Sequence, residues 1–137
     1  MPNKPIRLLF VCVENACRSQ MAAAFARLHG GAGVEAFSAG SRPAAAVNPK
    51  AIEAMREAGC DISRERPKSL ADVPATGYDA VVTMGCGDAC PFVAAREHVE
   101  WNIPDPKNMG TGEFREVRDS LGEQVEALIA RLRAGRA

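Results

Sequence analysis

The sequence predicts an α/β fold: one domain over residues 1–137, built on a four-stranded parallel sheet with helices on both faces. Three features carry that expectation. Residues 6–11 form an apolar run with little alternation, as in a central strand covered on both sides. Strand-like and helix-like patterns then alternate four times along the chain, the order that builds a parallel sheet. Gly30-Gly31, Asn48-Pro49 and Gly59 stand where helices should stop or start.

Residues 6–11 are the first strand. Ser19 opens a helix that continues over residues 20–29, where Met21, Ala22, Phe25, Ala26 and Leu28 give an apolar stripe at helical spacing. Gly30 and Gly31 end it. Residues 32–37 are expected to be the second strand, with Ser38-Ala39-Gly40-Ser41 as its exit loop. Asn48 then caps a helix with Pro49 at the first position, and Ala51, Ile52, Met55 and Ala58 form its buried side. Residues 69–73 suit a short helix. The third strand is residues 78–84. Residues 98–103 alternate with period two, which suits an edge strand. Residues 113–133 form a long terminal helix, with Phe114, Val117, Leu121, Val125, Leu128, Ile129 and Leu132 recurring at three and four.

Composition narrows the function classes. Lys plus Arg and Asp plus Glu both number 17, so the formal net charge is zero and no nucleic-acid face is implied. No apolar run approaches a membrane span, and no leader pattern precedes the first strand. Five cysteines is an odd count without a small-secreted framework, so reduced thiols in the cytoplasm are expected.

The informative stretch is Cys12-Val13-Glu14-Asn15-Ala16-Cys17-Arg18-Ser19. A cysteine at a strand end, a tight turn and a helix start together make an anion site. The amides of the turn and of the first helical turn lack intrahelical partners and point at one spot. Val13, Glu14, Asn15, Ala16, Cys17, Arg18 and Ser19 would line it, with the Arg18 guanidinium adding a planar fork of donors. Such surroundings favour a thiolate, and Ser19 can donate its hydroxyl to the sulfur. Cys12 is therefore a candidate nucleophile; the competing reading is a buried strand cysteine. The Cys-x5-Arg spacing alone is weak, because Cys60 to Arg66 and Cys90 to Arg96 share it. Context separates them. Cys60 follows a helix, and Pro91 removes an amide from the loop after Cys90.

Two other features fall at the same sheet edge. Cys86 and Cys90 follow the third strand, flanked by Gly85 and Gly87. An exchange dithiol is the best reading, since exchange needs neighbouring accessible thiols. Two buried thiols, or zinc held with His98, compete; zinc lacks a fourth ligand. Asp105 sits between Pro104 and Pro106, on a stiff segment where it could serve as a general acid or merely start a turn. Neither a metal nor any other cofactor is expected.

The loop from Cys12 to Ser19 resembles the active-site loop of low-molecular-weight protein tyrosine phosphatases and of the thioredoxin-coupled arsenate reductases that share their fold. The resemblance extends over Ser38-Ala39-Gly40, Asn48-Pro49, the third strand and Asp105-Pro106. It implies strand order 2-1-3-4. It implies arsenate, or a phosphate-like oxyanion, in the cradle and a relay in which Cys12, then Cys86, then Cys90 carry the disulfide. Asp105 would protonate the departing oxygen, and thioredoxin or another thiol reductant would close the cycle. The alternative implied is a phosphatase acting on phosphotyrosine or phosphoarginine. Lys107-Asn108 stand where such phosphatases usually place tyrosines, and the chain has one Tyr and one Trp, which favours the reductase. Ala23 stands where relatives often carry a Glu that helps bind potassium, so that ion is not expected. Cys17 could pair with Cys12 under oxidation or simply pack.

Overall fold

The computed structural model describes residues 4–85 and 92–135. Within them, β1 (Ile6–Cys12), β2 (Val34–Gly40), β3 (Tyr78–Met84) and β4 (Ala95–Trp101) form one parallel sheet in the order β2-β1-β3-β4. The connections after β1 and β2 carry α1 (Arg18–Gly30) and α2 (Pro49–Glu57), and α3 (Thr111–Ala134) follows β4. Because all four strands run one way, their C-terminal ends share one edge. Cys12, Gly40 and Met84 end their strands there, and Asp105 follows β4. Ligands of open parallel sheets collect at that edge.

Strand pleating divides the core in two. Ile6, Leu8, Phe10 and Cys12 of β1 join a cluster with Met21 and Phe25 of α1, Met55 of α2, and Phe114, Leu121 and Val125 of α3. Leu9 and Val11 point the other way, to Ala39, Tyr78 and Val81. Leu70 and Val73 pack against that second cluster from a 3-10 turn, Leu70–Asp72. Helical cover thus lies on both faces but unequally, three α-helices against one short turn. Among the described residues, no helix is long and apolar enough to cross a membrane.

Several boundaries differ from the sequence reading. The stretch from Ser38 to Gly40, expected as a loop, is the end of β2. It pairs in full register with β1, from Ile6 opposite Val34 to Cys12 opposite Gly40. Gly40 is small there because the strand end passes beneath a tightly packed loop, not because it turns. β4 begins at Ala95 instead of residue 98. Its alternate side chains face solvent, so its N-terminal half carries no apolar signature and pairing with β3 defines it. The predicted helix over residues 69–73 is the 3-10 turn, capped reciprocally by Ser69 and Asp72. The Asn48 side chain accepts from the Lys50 amide, as expected of the cap of α2.

α2 and α3 are joined through Glu57. Arg115 grips both its oxygens, at 2.9 and 2.7 Å, and Arg118 reaches one at 2.7 Å. The hydrogen bond from Arg115, seconded by Arg118, holds the Glu57 carboxyl down at about 2. This network is exposed and contributes little beside the apolar seam beneath it. Leu121, fully buried between α3 and the sheet, tests that ranking. Leu121→Ala should lower unfolding free energy by about 2–5 kcal/mol in urea titrations. Glu57→Gln should cost less than Leu121→Ala.

Candidate active site

The loop after β1 is shaped by what its carbonyls bind. The carbonyls of Cys12, Val13, Glu14 and Ala16 accept from the amides of Ser41, Arg42, Ala44 and Asn48, at 3.2, 2.8, 2.9 and 3.0 Å. Across a trans peptide the next N–H points opposite to the carbonyl. The segment over residues 41–48 therefore turns the amides of Val13, Glu14, Asn15 and Cys17 away from itself. Asn15 takes the left-handed conformation, φ 52°, that bends the loop back. Gly40 admits the loop: a Cβ there would lie 2.7 Å from the Val13 carbonyl oxygen and 2.9 Å from the Asn15 nitrogen. α1 then starts at Arg18 with no side-chain cap and no acidic residue in its first turn, leaving donors and a favourable dipole for an anion.

Beneath the loop runs a chain of buried hydrogen bonds whose direction is determined as far as Ser19. The Lys68 amide donates to Asn15 Oδ1 at 2.9 Å, so that atom is the amide oxygen. Gln20 Nε2 donates to the same oxygen at 2.9 Å and to the Arg66 carbonyl at 3.0 Å. Asn15 Nδ2 consequently faces Ser19 and donates to its Oγ at 2.6 Å. Ser19 Oγ lies 2.9 Å from Cys12 Sγ, and a hydrogen of either group can bridge them. When the sulfur is a thiolate, the Ser19 hydroxyl is the donor.

Arg18 is buried, and its Nη1 donates to the Ile103 carbonyl at 3.2 Å. Its Nη2 lies 3.8 Å from Asp105 Oδ2. Gly85, at φ 75°, makes room for the guanidinium, since a Cβ there would meet Nη1 at 2.3 Å. Asp105 starts a turn, the competing sequence reading, and leaves its second oxygen towards Arg18. Its Oδ1 accepts from the Lys107 amide at 3.1 Å and caps the 3-10 turn Pro106–Asn108, while its Oδ2 faces Arg18. The Asp105 side chain is 44% exposed, open to an incoming molecule. Lys107 Nζ also reaches the Glu14 carboxylate, at 3.2 and 3.3 Å.

Cys17 is buried behind the loop. Burial pushes its thiol up to about 12, with the negative charge of Asp105 and the Cys12 sulfur adding to the effect. It is therefore a thiol at neutral pH.

Cys12, Arg18, Ser19 and Asp105 are thus brought together, with Val13, Glu14, Asn15, Ala16 and Cys17 forming the loop between. Cys86 and Cys90 lie outside the described residues. His98, the third group of the zinc alternative, has Nε2 2.7 Å from the Val93 carbonyl. Sequence reasoning missed Gln20, the Lys68 amide and the Ile103 carbonyl. Residues 18–26 are all buried, so no stripe singles out Gln20, and the other two are backbone groups with no side-chain signature.

With this geometry in view, residues 7–137 match the family described as low molecular weight phosphotyrosine protein phosphatase. The chain is 36% identical over 129 residues to a "Glutaredoxin arsenate reductase" of Synechocystis sp., spanning 92% of this chain and 98% of that one. A solved structure of "an arsenate reductase in the phosphate binding state" superposes with TM-score 0.84 at 36% identity, covering 92% of this chain and 98% of the other. A thioredoxin-dependent arsenate reductase of Corynebacterium glutamicum gives TM-score 0.81 at 32% identity, covering 98% of this chain and 65% of the other.

The geometry makes two predictions. Asn15 contributes both a backbone bend and a donor. Asn15→Ala should slow alkylation of Cys12 by iodoacetamide at neutral pH by roughly tenfold. Asn15→Gly, which relieves the left-handed backbone, should stay equally slow; recovery with glycine would assign the effect to strain. For Cys17, the folded state keeps its proton between the ordinary 9.0 and about 12. Its contribution to stability is complete below 9.0 and fades as pH rises towards 12. Urea midpoints measured across that range should fall less steeply in Cys17→Ala than in the wild type.

Proposed function

The chain belongs to the low-molecular-weight phosphotyrosine protein phosphatase family, and from that premise we propose that it reduces arsenate to arsenite through a relay of its own thiols. The observation that supports the reading is the Cys12 sulfur at the end of β1, 2.9 Å from the Ser19 hydroxyl, in the loop whose Arg18 lies 3.8 Å from Asp105. The similarity to proteins named arsenate reductases supports the choice of oxyanion.

Arsenate enters the loop over residues 12–19 as a tetrahedral anion. The outward-bonded carbonyls leave amides to hold its oxygens, and Arg18 adds a charged fork. The Cys12 thiolate attacks arsenic. An S–As bond forms, and one oxygen departs as water after taking a proton from Asp105. Arg18, at 3.8 Å from Asp105, must share its charge between carboxylate and anion, so binding of the anion helps free the acid for its proton. The Cys86 thiolate then attacks the Cys12 sulfur. The S–As bond breaks, its electron pair stays on arsenic, and arsenite leaves with a Cys12–Cys86 disulfide behind. The Cys90 thiolate attacks Cys86, which releases the Cys12 thiolate and leaves Cys86–Cys90 oxidised. An external thiol, thioredoxin or a glutaredoxin system, returns two electrons to that disulfide.

Cys17 takes no step in this scheme, because it remains protonated. The phosphatase alternative uses the same Cys12, Arg18 and Asp105 but has no task for Cys86 and Cys90. The expected outcome is arsenate-dependent NADPH oxidation when thioredoxin and its reductase, or glutathione, glutaredoxin and glutathione reductase, are supplied. Cys12→Ser should lower it by roughly three orders of magnitude or more. Cys86→Ser and Cys90→Ser should abolish repeated turnover while sparing any hydrolysis of p-nitrophenyl phosphate. Hydrolysis without arsenate reduction in either reducing system would replace this reading with the phosphatase one.

A further inference from the structure

The cradle carries a charge that should repel its own ligand. Glu14 is the third residue of the loop, and its side chain is only 35% exposed. A carboxylate this close to a site for a dianion disfavours occupancy. The Lys107 ammonium lies 3.2 and 3.3 Å from its two oxygens. Lys107 is not a passing surface charge. Its own backbone amide holds Asp105 Oδ1 at 3.1 Å, so a single residue ties Glu14 of the cradle to the carboxylate of the acid segment. Arg18 makes the other crossing, to Asp105 and Ile103.

The place of this second crossing matters chemically. The acid faces the oxygen that departs. In a phosphate ester that oxygen also bears the organic group, which must therefore pass beside Asp105 and its neighbour Lys107. In inorganic arsenate or phosphate it bears nothing. We propose that the Glu14–Lys107 pair is the selectivity element of the site. It cancels the charge of Glu14 so that a small inorganic dianion can enter, and it spans the side on which the organic arm of an ester would lie. The proposal deepens the arsenate reading and rests on it for the identity of the favoured anion.

Three variants separate charge from structure. Lys107→Met leaves Glu14 uncompensated. It should raise the KM for arsenate by roughly fivefold with kcat changed less, as expected for loss of a partly exposed pair beside an anion. That defect should shrink as salt is raised, because the charges are within reach of solvent ions. Adding Glu14→Gln to Lys107→Met should bring the arsenate KM back towards wild type. It should also raise kcat/KM for p-nitrophenyl phosphate relative to arsenate, since the pair no longer spans the ester side. Lys107→Met with a lowered kcat, an unchanged KM and no salt dependence would reduce Lys107 to a support of Asp105 and overturn the proposal. So would a double variant whose effects simply add, or whose preference between ester and arsenate is that of the wild type.

Protection of Cys12 from iodoacetamide by inorganic phosphate gives the same comparison without any turnover. Its concentration dependence should follow the same order, weakest in Lys107→Met and restored in the double variant. If the wild type fails to reduce arsenate, the arsenate reading falls, and this binding measurement still decides the role of the pair.

Discussion

The orientation of one buried amide, that of Asn15, is the constraint on which the site depends. Its oxygen is held by a backbone N–H that cannot act as an acceptor, so its nitrogen must face Ser19, whose hydroxyl lies 2.9 Å from the Cys12 sulfur. A hydrogen-bond chain with one immovable end has one polarity as far as the first group that can both donate and accept, here Ser19. That polarity asks a good deal of the fold. The segment ending at Lys68 has to lie against β2, which it does through the bond from the Gly40 amide to the Lys68 carbonyl, 2.8 Å. β2 has to run on to Gly40, and residue 40 has to lack a side chain. Asn15 has to sit in a backbone conformation that asparagine tolerates better than most residues.

The parts visible in the sequence are those whose signal is local. The third strand, Tyr78–Met84, has the predicted limits because its apolar centre, Ala80 to Val82, is flanked by buried Tyr78 and Met84 in a parallel strand. The cap of α2 is visible because Asn48 and Pro49 act on adjacent amides. Cys12, Arg18 and Ser19 are visible because the cradle is a single turn of chain. What the sequence hides is set by partners far along it. Ser38, Ala39 and Gly40 look like a loop because small residues usually mark turns; here they are strand, and residue 40 is glycine because Val13, Glu14 and Asn15 pack on it. Gln20 is hidden inside a helix buried all round. Two flanking prolines do not reveal that one Asp105 oxygen caps a 3-10 turn while the other faces Arg18.

The two thiols of the loop meet different surroundings. Cys12 ends β1 and faces a hydroxyl, whereas Cys17, at the start of α1, meets apolar packing and the field of Asp105. Asn48 pulls the Cys17 thiol the other way without prevailing. One loop thus contains a sulfur beside a hydroxyl and a sulfur that burial keeps as a neutral thiol. Both are free cysteines.

An oxyanion cradle does not by itself distinguish hydrolysis from reduction. Inward amides, a buried guanidinium and a facing carboxylate stabilise attack on a tetrahedral centre, whether that centre is phosphorus or arsenic. The two reactions part only after the sulfur adduct has formed. If water attacks the central atom, the oxidation state is unchanged and the cycle ends as hydrolysis. If a second thiol attacks the sulfur, the S–As pair moves to arsenic, which is reduced. Arsenic can accept that pair under mild conditions and phosphorus cannot, so the same adduct chemistry with phosphate leads nowhere except to water. The reductive branch therefore asks two things of the chain: an adduct protected long enough for sulfur to compete with water, and a second thiol able to reach Cys12. For the first, Gly40 admits a close-packed loop and Lys107 ties Glu14 to the segment of Asp105. The second is the task for which Cys86 and Cys90, two residues and six residues beyond the end of β3, are the natural candidates, because β3 pairs directly with the strand that ends in Cys12.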